Sequence, residues 1–112
     1  MKNTDKNNRE SLSPDSLTDD FNGLMYFSHE QCGVCQVLRP KVEQMVAENY
    51  PELEFMYINV RKTPAIAAAF SVFTVPVILV FFEGQEFYRF ARNIGVGELQ
   101  RSIERPYGLK FG

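Results

Sequence analysis

The stretch "SHEQCGVCQVLRP" (28–40) contains both cysteines of the chain, Cys32 and Cys35, with two residues between them. The apolar run "LMYFS" (24–28), which leads into it, is typical of a β-strand. After Cys35 the apolar residues recur at spacings of one, three and four, which is typical of a helix, and Pro40 lies inside that pattern. The sequence therefore predicts that the cysteines lie at a strand-to-helix junction, in a helix that Pro40 kinks rather than ends.

From the residues alone, three interpretations of this cysteine pair are open. A structural zinc site usually has four protein ligands, and His29 is the only histidine, so a metal site would need ligands from a second chain. The pair could instead be two buried thiols, because free cysteines often behave as core residues. In the third interpretation helix N–H groups favour a thiolate at Cys32, and Cys35 lies close enough to attack a mixed disulfide. A Cys-X-X-Cys motif near a strand–helix–strand pattern favours this redox interpretation.

Beyond the cysteine motif, predicted strands and helices alternate along the chain. Further strands are predicted at 53–60, 76–82 and 87–92, and helices at 13–23, 63–72 and 97–105. Strand–helix–strand units imply parallel strands with right-handed crossovers, whereas the tight turn at 83–86 makes the last two strands antiparallel. The predicted fold class is α/β, with a mixed sheet of about four strands and helices on both faces.

Length and composition are those of one globular domain. The chain has 112 residues, of which 45% are hydrophobic, and this is enough apolar material for one core. Residues 1–12 are polar and charged, and they predict a flexible N-terminal arm that precedes a single domain at 13–112.

Charge and hydropathy exclude several kinds of partner. The net charge of −2 gives no basic face for nucleic acid and no polybasic signal for a membrane surface. No apolar run approaches the roughly 18 residues of a membrane span, and the N-terminus lacks the apolar segment of a secretory signal. The expected location is the cytoplasm, where a close cysteine pair is more often catalytic or metal-binding than structural.

Together these features resemble the thioredoxin superfamily over residues 23–103. The resemblance rests on the strand "LMYFS", on "CGVC" opening a helix that contains Pro40, and on Val75-Pro76 before a long strand. The segment "FFEGQEFYRFAR" (81–92) resembles the hairpin that ends the family's sheet. The resemblance implies a thioredoxin fold, which here lacks an obvious first strand, and a monomer that needs no bound organic cofactor.

The resemblance also implies a role for each residue of the site. Cys32 would be the attacking thiolate, and Cys35 the resolving thiol that releases the mixed disulfide. The Val75-Pro76 peptide bond would be cis and would face the cysteines. The backbone of Val75 would pair with an extended substrate segment. The residues implied in substrate binding are Val75, Pro76, Gly33 and Val34.

The sequence departs from thioredoxins proper around the cysteines. Gln31 and Val34 replace the tryptophan and the proline of "WCGPC". Tyr26 stands where thioredoxins have a buried aspartate that helps to deprotonate the resolving cysteine, and a tyrosine is a poor proton acceptor at neutral pH. Tyr26 is therefore predicted to fill the core, with tuning of the cysteines as the alternative. His29 is the other candidate for tuning, because its protonated form would favour the Cys32 thiolate.

The prediction is a thioredoxin-like thiol–disulfide oxidoreductase that acts on disulfide-containing proteins. An external reductant, either a thioredoxin-reductase-type flavoprotein or a small thiol, would regenerate its dithiol. Two alternatives stay open. One is a metal or iron–sulfur protein that uses the two cysteines across a dimer, and the other is a redox-inactive binding module whose groove beside Val75-Pro76 holds a partner.

Overall fold

The strands and helices are those of a computed structural model, which describes residues 12–112, so residues 1–11 of the predicted arm lie outside the described part. The strands are β1 (Gly23–Ser28), β2 (Glu54–Asn59), β3 (Val77–Phe82) and β4 (Gln85–Ala91). They form one sheet in the order β2-β1-β3-β4. The helices are α1 (Gly33–Asn49), α2 (Pro64–Ala69) and α3 (Val96–Phe111).

Apolar side chains cover both faces of this sheet. All residues of β1 and β3 are buried, as expected for strands that have helices on both sides. Leu24 and Tyr26 of β1 pack in one cluster with α1 and α3. Met25 and Phe27 point to the opposite face and pack with α2. The predicted α/β class and the helices on both faces are confirmed.

Helix α1 follows the cysteine motif as predicted. It begins at Gly33, with Cys32 as its N-cap residue, and it continues through Pro40. Its core-facing positions recur at the helical period expected from the sequence. They are Cys35, Leu38, Val42, Met45 and Val46.

The direction of β3 differs from the prediction. The parallel pairing of β1 with β2 and the antiparallel pairing of β3 with β4 are confirmed, but β3 also runs antiparallel to β1. The connection from β2 to β3 contains one short helix, α2, whose six residues rise only about 9 Å. A parallel return along a six-residue strand must cover about 20 Å. Helix α2 alone does not cover that distance, and the strand directions show that the chain enters β3 at the same edge of the sheet at which it leaves β2.

The helix predicted at 13–23 is wrong apart from one short turn. Only Pro14–Ser16 form a 3₁₀ helix, and Gly23, which was expected to close the helix, is the first residue of β1. The backbone of this segment is bonded to the β3–β4 turn instead. The Gly84 N–H donates to the Phe21 carbonyl at 2.9 Å, so that carbonyl is not free to extend a helix.

Helix α3 is longer than predicted, because it runs to Phe111 instead of ending at Arg105. Tyr107 holds the added turns against the end of α1. Its ring centroid lies 4.8 Å from that of Tyr50, and its hydroxyl accepts a hydrogen bond from the Glu52 N–H at 3.2 Å. These aromatic and polar contacts offset the cost of continuing the helix through a proline.

Candidate active site

Cys32 and Cys35 lie where β1 leads into α1. The Sγ of Cys32 accepts a hydrogen bond from the Cys35 N–H at 3.2 Å. The two sulfur atoms are joined in a disulfide, with the Cα atoms 5.2 Å apart. Cys35 is fully buried, whereas Cys32 is partly exposed. An incoming thiol or disulfide can therefore reach the sulfur of Cys32 but not that of Cys35.

The loop before β3 returns to the cysteines. The Val75-Pro76 peptide bond is cis, as the resemblance implies, and Val75 packs against the apolar cluster that contains Cys35. Val77 pairs with Phe27 near the end of β1. This loop and the cysteine loop therefore leave the sheet at the same edge, which brings the residues predicted for the site together.

Tyr26 of β1 lies beneath the first turn of α1. Its side chain is fully buried, and its hydroxyl donates a hydrogen bond to the Cys35 carbonyl oxygen at 2.7 Å. Burial, with a smaller contribution from the Tyr57 hydroxyl, raises the pKa of Tyr26 to about 12. The hydroxyl is thus protonated at neutral pH and does not act there as a base for Cys35. Tyr26 fills the core and also holds the turn that carries the buried cysteine.

The loop between β1 and α1 carries two ionisable side chains, His29 and Glu30. The Nδ1 of His29 accepts a hydrogen bond from the Gln31 N–H at 3.2 Å, and its carbonyl accepts one from the Cys32 N–H at 3.2 Å. Glu30 faces Lys62, with 3.6 Å between Oε2 and Nζ. Hydrogen bonds, first of all to its own backbone, hold the pKa of Glu30 below its usual range, and the Lys62 ammonium adds to this effect. A tuning role for His29 stays a prediction.

A groove of about 360 Å³ opens beside the cis peptide bond. It is lined by His29, by residues 60–61 after β2, by three residues of α2 and by residues 72–75 before the cis bond. Arg61 donates through Nη1 to the Oε1 of Gln31 at 2.6 Å. The Arg61 guanidinium is therefore held beside the residue that precedes Cys32.

Apolar side chains around the disulfide are open to solvent. Val34 and Val37 on the first turns of α1 are 65% and 61% exposed, and Phe73 in the loop before the cis bond is 82% exposed. Gly33, between the cysteines, is also exposed. Exposed apolar side chains gathered at one edge of a domain are typical of a surface that binds a partner. Gly33 and Val34, for which the family resemblance implies a role in substrate binding, are among these exposed residues.

The cysteine pair has no further metal ligands beside it in the part of the chain that the structure describes. There, no group of three or more His, Cys, Asp or Glu side chains could hold a metal ion. A metal centre at the cysteines would thus need ligands from a second chain, as the sequence implied. Among residues 12–112, no helix is long and apolar enough to cross a membrane.

Comparison with known proteins agrees with this geometry. The family model described as Thioredoxin matches residues 4–105. The chain belongs to the thioredoxin family. It is 36% identical over 89 residues to the thioredoxin-like protein YdfQ of Bacillus subtilis, which covers 80% of this chain and 79% of that protein. It is 32% identical over 87 residues to a thioredoxin of Chlamydia trachomatis, which covers 78% of this chain and 69% of that protein.

Solved structures show the same relationship. Thioredoxin 1 of Thermosipho africanus matches 80% of this chain and 99% of its own, with a TM-score of 0.73 and 29% identity. The thioredoxin fold predicted from the sequence is confirmed. Membership of the thioredoxin family and the disulfide between Cys32 and Cys35 together support thiol–disulfide oxidoreductase chemistry in general.

Sequence reasoning singled out neither Arg61 nor Phe73, which both line the groove beside the cis peptide bond. Arg61 follows β2, which is parallel to β1, so it leaves the sheet at the same edge as the cysteine loop. The parallel pairing was predicted, and residues directly after parallel strands commonly meet at a binding site, so Arg61 could have been found from that rule. No sequence signal marks Phe73, because its exposure depends on the path of the loop before β3.

Proposed function

We propose that this thioredoxin-family protein reduces the disulfide bonds of other proteins with the dithiol form of Cys32 and Cys35. The observation that carries the proposal is the difference in exposure between the two bonded cysteines. The partly exposed sulfur of Cys32 can meet a substrate. The buried sulfur of Cys35 can meet only Cys32, which suits a resolving thiol.

Cys32 performs the first step. Its sulfur lies at the N-terminus of α1, where the Cys35 N–H at 3.2 Å and the other unpaired helix N–H groups favour the thiolate. The thiolate attacks one sulfur of the substrate disulfide, and the second substrate sulfur leaves as a thiolate. The product is a mixed disulfide between Cys32 and the substrate.

Cys35 performs the second step. After losing its proton it attacks the sulfur of Cys32, the Cys32–Cys35 bond forms, and the remaining substrate sulfur leaves as a thiolate. Two electrons have then passed from the dithiol to the substrate. Because Tyr26 is already protonated at neutral pH, the proton of Cys35 goes to another acceptor. The substrate thiolate released in the first step is such an acceptor.

An extended segment of the substrate lies against Val75, Pro76, Gly33 and Val34 in this proposal. Val75 precedes β3 and takes no part in its ladder with β1 or β4. An extended chain can therefore pair with its backbone, as a strand added to a sheet edge does. Gly33 and Val34 offer exposed, uncharged surface next to the attacked sulfur.

The cycle closes with an external reductant. A thioredoxin-reductase-type flavoprotein or a low-molecular-weight thiol reduces the Cys32–Cys35 disulfide and restores the dithiol. We assign this cycle to the monomer and to the cytoplasm, a compartment in which such reductants keep thiols reduced.

Single cysteine variants test the proposal. With a disulfide-bonded test protein and a dithiol reductant, Cys32→Ser is expected to abolish turnover. Cys35→Ser is expected to stop turnover too, but to accumulate a mixed disulfide that mass spectrometry detects on Cys32. Turnover that is unchanged in Cys32→Ser would contradict the assignment of the attacking cysteine.

The second candidate is a binding module, which the exposure of Val34, Val37 and Phe73 favours. The double variant Cys32→Ser/Cys35→Ser separates it from the oxidoreductase. A wild type without turnover, together with undiminished binding of the test protein by the double variant, would support the binding module. Turnover by the wild type, with none by the double variant, supports the proposed chemistry.

A further inference from the structure

We propose that Arg61 selects substrates that carry a carboxylate side chain within about three residues of the attacked cysteine, roughly 10 Å of extended chain. The inference rests on the proposed function, because it takes the groove beside the cis bond as the place of the substrate segment. It adds a substrate class to that function, namely disulfides with an acidic neighbour.

The Arg61 guanidinium has donors to spare. A guanidinium carries five N–H donors, and the one hydrogen bond of this group within residues 12–112 is that from Nη1 to the Oε1 of Gln31. No carboxylate of the described chain pairs with it, whereas Arg39 and Arg89 each pair with a glutamate on their own element. The remaining donors form a flat edge that matches the two oxygens of a carboxylate.

The groove offers nothing that competes for this edge. No carboxylate lines it, and apart from Arg61, His29 and Thr74 its side chains are apolar. An extended segment can therefore place an apolar side chain against the exposed ring of Phe73 and a carboxylate on Arg61. A substrate lysine at the same place would meet a like charge, which adds a repulsive contribution to the selection.

The charge of the surrounding loops points the same way. The loops that leave the sheet at this edge are residues 29–32, 60–63, 70–76 and 92–95. Their charged residues are Glu30, Arg61, Lys62 and Arg92, a net charge of +2 in a chain whose net charge is −2. Arg92 adjoins the site because its N–H donates to the Pro76 carbonyl at 3.2 Å. A positive rim on a negative protein attracts acidic segments and raises their rate of association.

Matched peptides test the selection. The peptides share one intramolecular disulfide and differ only in the residue two positions outside it, which is Glu, Gln or Lys. One set carries this residue before the disulfide and a second set carries it after. The second-order rate of oxidation of the reduced protein by each peptide is read by acid quenching, alkylation of free thiols and mass. The variants are Arg61→Gln, Arg61→Glu and the control Arg105→Glu, an exposed charge reversal on α3 outside these loops.

In at least one set the Glu peptide is expected to oxidise the reduced wild type about three to ten times faster than the Lys peptide. The Glu peptide gains one partly exposed ion pair with Arg61, whereas the Lys peptide meets a like charge there. Arg61→Gln is expected to lose this preference and Arg61→Glu to reverse it. Arg105→Glu is expected to keep the wild-type order. At about 1 M salt, where the screening length falls to roughly 3 Å, the preference is expected to shrink.

Equal rates for the Glu and Lys peptides in both sets would overturn the inference and leave the proposed function standing. An equal effect of Arg105→Glu and Arg61→Glu would also overturn it, since the preference would then come from the total charge. A wild-type dimer that Arg61→Glu dissociates would show that a second copy fills the groove, against the inference. Failure of every peptide to oxidise the reduced wild type would contradict the proposed function itself, and the inference would fall with it.

Discussion

At the scale of single residues, Tyr26 shows what the sequence can and cannot predict. Its place in an apolar strand predicts a buried ring, and the ring is buried. The partner of its hydroxyl could not be predicted, because the Cys35 carbonyl comes within 2.7 Å only when α1 packs on β1. Phe73 is a similar case, because its apolar character alone would place it in the core, and yet it is 82% exposed.

Tyr26→Phe is expected to lower the free energy of unfolding at neutral pH by about 0.5 to 1.5 kcal/mol, the net contribution of one hydrogen bond. The difference in the free energy of unfolding between the wild type and Tyr26→Phe depends on pH. The pKa of Tyr26 is raised to about 12 in the folded state, against about 10 in an unfolded chain. The protonated phenol therefore contributes its full stabilisation below pH 10, and this contribution is lost as the pH rises towards 12.

Near pH 12 the free energy of unfolding of the wild type falls by at most about 2 to 3 kcal/mol, since each unit of pKa shift corresponds to about 1.4 kcal/mol. This fall exceeds the hydrogen-bond contribution, so the wild type becomes less stable than Tyr26→Phe at that pH. Urea unfolding of the oxidised wild type and of Tyr26→Phe, at pH values below 10 and near 12, measures it. Tyrosinate absorbance gives an independent check. The absorbance titration of the wild type minus that of Tyr26→Phe reports on Tyr26. A midpoint near pH 10 in this difference would show that burial does not raise the pKa of Tyr26.

At the scale of strands and helices, apolar runs located all four strands, and the period of the apolar residues located α1. The first predicted helix failed because local capping signals were outweighed by a backbone bond from Gly84 to Phe21, a contact between residues far apart in sequence. The end of α3 was missed for a related reason. Proline favours an early stop, and only the packing of Tyr107 on Tyr50 explains why the helix continues.

Gly23 is expected to be required by the close approach of β1 and β2. A Cβ at this position would overlap the carbonyl oxygen of Glu54 on β2. Gly23→Ala is therefore expected to lower the free energy of unfolding by about 1 to 3 kcal/mol, the usual cost of overpacking. Chemical denaturation of the oxidised protein measures it.

Gly108 provides the matched control for Gly23. It lies inside α3, and a Cβ there would meet nothing within 4 Å. Gly108→Ala is expected to raise the free energy of unfolding by up to about 1 kcal/mol, the helix preference of alanine over glycine. Equal effects of the two substitutions would refute the steric argument for Gly23.

Tyr107→Ala is expected to release the last turns of α3 from α1. The variant loses the ring contacts with Tyr50 and Phe111 and the hydrogen bond with Glu52, a loss of about 1 to 3 kcal/mol for a partly buried aromatic residue. Leu109→Ala is the control, because Leu109 lies two residues further on and is 77% exposed. Hydrogen exchange should show faster opening of α3 in the first variant only, and unchanged exchange there would argue against this role.

At the scale of the whole molecule, the topology assembles the site. β1 and β2 end at one edge, and β3 starts at that edge because it runs antiparallel to β1. From the sequence, only the family resemblance predicted that the Val75-Pro76 loop lies beside the cysteine motif. The predicted parallel direction of β3, which was wrong, would have placed this loop at the opposite edge of the sheet. Arg61 reaches the site by the same topology, although nothing in its immediate sequence marks it.

The central claim is that Cys32 and Cys35 form a reversible dithiol–disulfide couple that reduces substrates. The most direct measurement is a redox titration of the purified, metal-free protein across a ladder of thiol–disulfide buffers, with free thiols trapped by an alkylating mass tag. We expect a single reversible two-electron transition, in which the oxidised-to-reduced ratio changes tenfold for about 30 mV. Its midpoint potential is expected at or below about −220 mV, the upper end of the cytosolic glutathione range. A protein that keeps both thiols free at every accessible potential would contradict a redox role for Cys32 and Cys35.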